Sequence, residues 1–414
     1  MFSRITILFF IVLSLSSCAP TYLYHSPKSN CSEKDQSSCS KTYIEKDHGY
    51  SLGFVEIDDK GWFRDRGQLS AFINELQKPE NQNVLLLVFA HGWKHNADNN
   101  DRDLNRMRST LKHLVEFEQQ TSNPRKVMGL YLGWRGLSVT FPLIKELSFW
   151  ERKSVAHNAG ETANEVFTRL QLIMDKKRAL ADNKNISSYV VIGHSFGGAL
   201  VYSAMRPIIL SRLSQQKYSY ENKLKHQANT DLVVLLNPAF EAARVKELRE
   251  VFKNTKAAPY LIVLTADNDN ATRKAFPAGR HLSTFFDKYS KNQKKADRKT
   301  IGHYKPFFTH ELKDVGAKAG NGCGKKNSRY MRELDLFTDN GHVDQWLHDY
   351  ATKGHKLLLQ DSSINHISHD TSPDNPIQII QVQDRDILDK HSNIICDDLV
   401  DLIRTYIIFN SRYK

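Results

Sequence analysis

The sequence predicts an α/β fold with a mostly parallel central sheet, helices on both faces and a long insertion before the last strand. Three observations lead to this prediction. Short apolar runs alternate with helical patterns, as in sheets built from strand-helix-strand units. The apolar runs are continuous, which is typical of strands that are buried on both faces. The 414 residues are enough for one large domain of this kind with insertions.

The pattern is sharpest between residues 187 and 213. Tyr189–Ile192 predicts a buried strand, and apolar residues at helical spacing begin shortly after it. Between them lies the turn Gly193–Gly197, with the sequence G-H-S-F-G. A serine on such a tight turn needs neighbours without side chains, and the two glycines meet that need. We expect Ser195 at the N-terminus of the helix, where backbone N–H groups favour a developing negative charge.

The other elements follow the same alternation along the chain. Strands are expected at Leu52–Ile57, Val84–Ala90, Val127–Leu132, Asp231–Leu236, Tyr260–Thr265 and Ile377–Val382. Helices are expected at Asp65–Lys78, Leu104–Glu118, Ser154–Ala181, Ala242–Lys253 and Ile394–Phe409. The core then comprises residues 49–279 and 376–414. The polar insertion between them, residues 280–375, is expected to be a cap over the site or an appendage.

The first 17 residues combine one arginine with an apolar core that is too short to cross a membrane, which is typical of a secretory signal. This core ends in L-S-S-C, residues 15–18, and these resemble the lipobox of bacterial lipoproteins. The resemblance implies that residues 1–17 are removed and that Cys18 carries the lipid anchor. With Ala19 next, it implies the periplasmic face of the outer membrane. An ordinary cleaved signal is the alternative.

Residues 18–48 are polar and are expected to form a tether from the membrane to the core. The formal net charge of +12 favours anionic lipid or polysaccharide surfaces. A nucleic-acid partner is not expected, because the basic residues are scattered and the chain is exported. In an oxidising compartment the cysteines other than Cys18 could form disulfides in a pairing that the sequence leaves open: Cys31, Cys39, Cys323 and Cys396.

The strand, the G-x-S-x-G turn and the helix together resemble the nucleophile elbow of the α/β-hydrolase family. A second match is His91–Trp93, which follows a predicted strand and resembles the family's H-G-x motif. The resemblance implies that Ser195 is the nucleophile. It also implies that the main-chain N–H groups of Trp93 and Phe196 form the oxyanion hole.

The family usually places its acid in the loop after the strand that is expected here at Tyr260–Thr265. Asp269 fits best, because D-x-x-T resembles the family's spacing. Asp267 is the runner-up in the same loop. Glu241 is a third candidate, because some members place the acid after the preceding strand.

The family order of nucleophile, acid and histidine requires a histidine after Asp269. His391 lies between the last expected strand and the last expected helix, where a general base would stand over Ser195. Its rivals all lie in the polar insertion: His303, His310, His355, His366 and His369.

The resemblance therefore implies a serine hydrolase that cleaves acyl esters, including lipid esters, through an acyl-enzyme intermediate at the bacterial envelope. Peptidase, thioesterase and acyltransferase activities remain open within the same fold. This chemistry needs no metal and no cofactor. A metal bound by His91 and His95 is a weak alternative, because a third ligand is missing. The alternative from another class is a non-catalytic envelope lipoprotein that uses the hydrolase scaffold for binding or assembly.

Overall fold

A computed structural model describes twelve stretches of the chain: residues 23–25, 28–29, 41–121, 123–134, 148–181, 187–222, 231–284, 288, 290–314, 355–359, 362–394 and 397–412. The expected signal 1–17 and the expected lipidation site Cys18 lie outside these residues. So do the other four cysteines, Cys31, Cys39, Cys323 and Cys396.

The described residues form one sheet of eleven strands and a separate pair of short strands, β1 (Lys28–Ser29) and β2 (Lys41–Thr42). The strands of the large sheet are β3 (Ile44–Asp47), β4 (Tyr50–Ile57), β5 (Val84–Ala90), β6 (Lys126–Trp134), β7 (Ser188–His194), β8 (Leu232–Leu236), β9 (Leu261–Ala266), β10 (His310–Asp314), β11 (His355–Leu359), β12 (Ser362–His366) and β13 (Ile377–Val382).

The strand order in the large sheet is β11-β12-β10-β13-β9-β8-β7-β5-β6-β4-β3. The eight strands from β10 to β4 run parallel to their neighbours. Antiparallel pairs occur only at the edges of this described sheet, where β3 joins β4 and where β12 joins β10 and β11. The predicted α/β class with a mostly parallel sheet is confirmed.

The helices in the described residues are α1 (Arg66–Leu76), α2 (Arg102–Glu118), α3 (Ser148–Leu180), α4 (Phe196–Glu221), α5 (Lys246–Phe252), α6 (Phe276–Ser283), α7 (Lys291–Arg298) and α8 (Asp397–Arg412). Carboxylates cap two of them: Asp65 accepts from the N–H of Gly67 before α1, and Asp101 accepts from the N–H of Asp103 before α2. None of the helices in the described stretches is long and apolar enough to cross a membrane.

Strand β5 shows how the sheet divides the core into two layers. Its even-numbered residues Val84, Leu86 and Val88 belong to an apolar cluster with α1, α3 and α4. Its odd-numbered residues Leu85, Leu87 and Phe89 belong to a second cluster with α2 and α8. Successive side chains of a strand point to opposite faces, so helices cover both faces of the sheet.

Two expected accessory segments contribute to the sheet in the described residues. From residues 280–375 come β10, β11 and β12, and β10 pairs in parallel with the last core strand. From residues 18–48 comes β3, and the N–H groups of Tyr24 and His25 donate to the buried carboxylate of Glu56. Removal of residues 280–375 would therefore remove part of the sheet itself.

The chain leaves β5 and β7 in opposite directions. After β5 it passes through α2 on one face to β6, whereas after β7 it passes through α4 on the other face to β8. Since β5 and β7 are adjacent and parallel, a crevice opens at their carboxyl ends. Ligands of open α/β sheets bind at such a topological switch point.

At this crevice α4 begins unusually close to the sheet. A Cβ atom on Gly197 would lie 2.3 Å from the carbonyl oxygens of both Ala90 and His91. A Cβ atom on Gly193 would lie 2.8 Å from the Cα atom of Gly198. The two glycines of the G-x-S-x-G turn are therefore required by backbone packing.

We predict that Gly197→Ala destabilises the fold by about 3 kcal/mol or more, because its methyl group would overlap rigid backbone oxygens. The matched control is Gly198→Ala in the same helical turn, where the nearest atom to the new Cβ is a side-chain carbon of Pro238 at 3.1 Å. We expect that variant to stay within about 1 kcal/mol of the wild type, because alanine also favours the helix. Urea unfolding measures both, and equal losses would contradict the prediction.

Buried histidines should make the fold sensitive to acid. Burial lowers the pKa of His310 in β10 to about 3, below its ordinary value. The unfolded chain therefore takes up the proton first, so this contribution is complete above about pH 6.5 and is lost progressively as the pH falls toward 3. We predict that His310→Gln removes about 2 kcal/mol from the stability difference between pH 7 and pH 5. Urea unfolding at several pH values measures this, and an unchanged pH dependence would contradict it.

Candidate active site

Loops at the carboxyl ends of five parallel strands meet at one edge of the sheet. They carry Gly92 after β5, Ser195 after β7, Asn237 after β8, Asp269 after β9 and His391 after β13. All five strands belong to the parallel part of the sheet, so their carboxyl ends lie on the same side. This edge includes the crevice between β5 and β7.

Three of these side chains form one continuous hydrogen-bonded chain. Ser195 Oγ lies 2.9 Å from His391 Nε2, and His391 Nδ1 lies 2.8 Å from Asp269 Oδ2. The carboxylate only accepts, so Nδ1–H donates to Asp269 and the neutral imidazole accepts the Ser195 hydroxyl at Nε2. A base that is oriented in this way increases the nucleophilicity of a serine hydroxyl.

Asp269 is fully buried and yet stays ionised. Burial raises the pKa of its carboxyl group. Hydrogen bonds from His391 and Thr272 lower the pKa, and together they outweigh burial, so the pKa lies below its ordinary value. The Thr272 hydroxyl donates to Oδ2, and the N–H groups of Ala271 and Thr272 lie 2.9 and 3.3 Å from Oδ1. The acid therefore carries its charge without exposure to solvent.

Backbone strain is concentrated at this site. Of the five non-glycine residues with positive φ among those described, four lie in the loops around Ser195: Lys94, Ser195, Asn237 and Lys390. The backbone of Ser195 itself has φ 55° and ψ −118°. Its N–H donates to the carbonyl of Leu236 at 3.0 Å, and its carbonyl accepts from Ala239 at 3.0 Å, so neighbouring loops hold the strained conformation. Such strain is characteristic of functional sites.

The turn His91–Trp93 lies directly against the serine. A Cβ atom on Gly92 would lie 3.1 Å from the Cβ atom of Ser195 and 2.7 Å from Nδ1 of His194. Trp93 is the next residue after Gly92, and Phe196, the next residue after Ser195, is the first residue of α4. The structure thus places Gly92, the residue before Trp93, against Ser195. Backbone donors at the start of a helix favour negative charge there.

His91 has a structural environment. It is fully buried, burial lowers its pKa to about 4, and its ring stacks on Trp134. Its Nε2 accepts from the N–H of Trp134 at 3.1 Å, which leaves Nδ1–H to donate to the carbonyl of Gly92 at 2.9 Å. Both ring nitrogens thus form hydrogen bonds with main-chain groups and hold the turn beside Ser195. Among the described residues, no three His, Cys, Asp or Glu side chains are arranged to hold a metal ion.

The other acid candidates have different partners. Asp267 Oδ1 lies 2.7 Å from the guanidinium group of Arg385. Glu241 lies 3.0 Å from Arg244 and 3.2 Å from Arg280. Of the three candidate acids, all in described stretches, only Asp269 contacts His391.

The rival histidines lie elsewhere in the fold. His310 is buried in β10, His366 lies 3.4 Å from the hydroxyl of Thr371, and His369 is exposed. The side chain of His355 lies outside the described residues. His303 is the exception, because its Nε2 lies 3.0 Å from the Thr272 hydroxyl that bonds Asp269.

Three side chains from other parts of the chain hold the His391 segment, and they were not among the residues predicted from the sequence. His194 Nε2–H donates to the carbonyl of His391 at 2.8 Å, and Arg106 donates to the carbonyl of Ser392 at 2.9 Å. Asn237 donates to the carbonyl of Lys390 at 2.8 Å and accepts from the N–H of Ala266 at 2.9 Å. Only the asparagine had a sequence signal, since Asn before Pro after a strand favours a turn.

Comparison of this chain with protein-family models, curated proteins and solved structures found no match.

We predict that Asn237→Ala destabilises the protein by about 2 kcal/mol, because the buried N–H of Ala266 and the partly buried carbonyl of Lys390 lose their partner and alanine tolerates the φ of 45° less well. The matched control is Asn268→Ala, since Asn268 also bonds the His391 segment, at Asp389 and Lys390, but is only partly buried. We expect the control to lose less than about 1 kcal/mol in thermal or urea unfolding. A control as damaging as Asn237→Ala would contradict the argument.

Proposed function

We propose that this chain is an α/β-hydrolase that cleaves acyl esters with Ser195 as nucleophile, His391 as general base and acid, and Asp269 as the residue that orients the histidine. The observation that carries the proposal is the hydrogen-bonded chain of these three side chains. It stands on a strained strand-to-helix turn at the switch point of the sheet. Generic packing does not require a serine to adopt that backbone conformation.

The proposed reaction has two halves, and in each half His391 acts first as a base and then as an acid. Ser195 Oγ attacks the acyl carbonyl carbon while His391 Nε2 takes the hydroxyl proton, and the charged oxygen accepts hydrogen bonds from the N–H groups of Trp93 and Phe196. The C–O bond to the alcohol then breaks, and His391 gives its proton to the leaving oxygen. In the second half, His391 takes a proton from a water molecule as the water oxygen attacks the acyl carbonyl carbon. The bond between that carbon and Ser195 Oγ then breaks, His391 returns the proton to Oγ, and the carboxylic acid leaves.

Asp269 supports this cycle by remaining charged. Its pKa lies below the ordinary value, so it carries a negative charge whenever His391 accepts a proton. The ion pair that then forms is shielded from water on the side of the carboxylate, because Asp269 is fully buried, whereas 25% of the His391 side chain is exposed. Protonation of the histidine is thereby made easier at the moment when Ser195 attacks.

Acyl esters of lipids are the proposed substrate class. This part rests on the signal and lipobox resemblance at residues 1–18, which implies that Cys18 anchors the protein to the bacterial envelope at the periplasmic face of the outer membrane. An enzyme anchored to a bilayer meets lipid esters at high local concentration.

The test is covalent labelling of the purified protein with a fluorophosphonate, in which Ser195 Oγ forms a bond to phosphorus and fluoride leaves. We predict labelling at Ser195, identified by peptide mass, and none in Ser195→Ala. His391→Ala and Asp269→Asn should each slow labelling by about 10³-fold or more, because the hydroxyl then lacks its oriented base.

The matched control is Ser203→Ala. Ser203 Oγ also lies 2.7 Å from a histidine, Nδ1 of His157, but it lies within helix α4 rather than at its strained N-terminal turn. Its loss should leave labelling unchanged. Absence of labelling in a folded wild-type protein would refute the proposed catalysis, and a non-catalytic envelope protein that uses the scaffold for binding would become the better hypothesis.

A further inference from the structure

The hydrogen-bonded chain at the candidate site continues beyond Asp269. The hydroxyl of Thr272 contacts Asp269 Oδ2, the same oxygen that accepts from His391. His303 Nε2 lies 3.0 Å from the Thr272 hydroxyl oxygen on the other side. Thr272 is almost fully buried and His303 is partly buried. Five side chains are thus linked, from Ser195 at one end to His303 at the other.

The donor and the acceptor in each of the two hydrogen bonds made by the Thr272 hydroxyl follow from the number of protons that each group carries. A threonine hydroxyl has one hydrogen, and the ionised Asp269 can only accept, so Thr272 donates its hydrogen to Asp269. His303 must then donate Nε2–H to the Thr272 oxygen. Burial lowers the pKa of His303 to about 4, which agrees with a neutral ring in the Nε2–H tautomer.

The segment that carries His303 packs against the loop after β9, which contains Asp269 and Thr272 and is called the acid loop below. Ile301 donates its N–H to the carbonyl of Phe240 at 3.1 Å, and the Thr300 hydroxyl lies 3.3 Å from the carbonyl of Thr272. Gly302 packs so closely on β9 that a Cβ atom there would lie 1.8 Å from Thr265 Oγ1. Residues 300–303 belong to the polar insertion 280–375, so this insertion reaches the candidate site.

We infer that Thr272 and His303 are positioning residues that set the strength of the Asp269–His391 contact, with Thr272 withdrawing charge from Asp269 Oδ2 and His303 fixing the direction of the Thr272 hydroxyl. Oδ2 shares its negative charge between two donors. Without the hydroxyl donor, the carboxylate would attract the imidazolium form of His391 more strongly. This inference rests on the proposed function, in which His391 must release its proton to be the base.

The test measures the rate of fluorophosphonate labelling of Ser195 against pH. The midpoint of its acid limb reports when the base loses its proton. We expect Thr272→Val to raise this midpoint by about half a pH unit, and Thr272→Ser to restore the wild-type midpoint. His303→Leu should shift the midpoint in the same direction by a smaller amount, and His303→Gln should restore it, because a glutamine amide can also donate.

The matched control is Thr265→Val. Thr265 has the same residue type and the same burial, and it contacts Gly302 of the same segment. Its Oγ1 makes no hydrogen bond within the described part of the chain. This control should leave the midpoint unchanged even if it alters stability. Equal shifts in Thr265→Val and Thr272→Val would overturn the inference, because packing would then explain both.

The other titratable and charged groups near these five hydrogen-bonded side chains are unchanged in every variant. They are His194 and Asp103 near His391, and Asp267, Arg273 and Lys299 near His303.

A second readout separates this inference from the proposed function. NMR titration of the His391 ring in histidine-labelled protein requires no reaction. If the wild type does not label, the proposed function fails, and the inference then depends on whether Thr272→Val raises the titration midpoint of His391. If the protein labels and the midpoints of wild type and Thr272→Val coincide by both methods, the inference fails while the proposed function remains.

Discussion

The close approach of helix α4 to the end of strand β5 is the constraint on which the candidate site depends. Gly197 lies against the carbonyl oxygens of Ala90 and His91, and Ser195 adopts a strained turn between β7 and the helix. The same approach brings the helix N-terminus beside the His91–Trp93 turn. One packing contact therefore places the Ser195 turn and the N-terminus of helix α4 at the end of β5.

The position of His391 depends on loops next to the Ser195 turn. The His391 segment follows β13, and partly buried hydrogen bonds from His194, Asn237 and Arg106 fix its backbone. These donors come from three other parts of the chain, so the imidazole is held by the assembled sheet rather than by its own loop. A side chain held in this way has a fixed orientation toward Ser195.

The polar segment 280–375 has two roles in the described residues. Strands β10, β11 and β12 extend the edge of the sheet, and the short stretch before β10 brings His303 to the acid loop. Within the described residues of this segment, β11 and β12 lie at the edge of the sheet. A polar composition is therefore compatible with direct contact to the site, even though it suggested a cap or an appendage.

The α/β class could be predicted from the sequence, because buried parallel strands consist of continuous apolar runs and helices show a 3.6-residue pattern. The position of Ser195 between a strand and a helix could be predicted in the same way, since the apolar patterns on both sides of the turn are local. Which distant groups meet this serine depends on tertiary packing. The spacing in its loop favoured Asp269 over Asp267 and Glu241, but only the parallel pairing of β9 with β13 brings Asp269 to His391. The partnership of His303 and Thr272 had no local signal, because residues 31 positions apart meet only through packing.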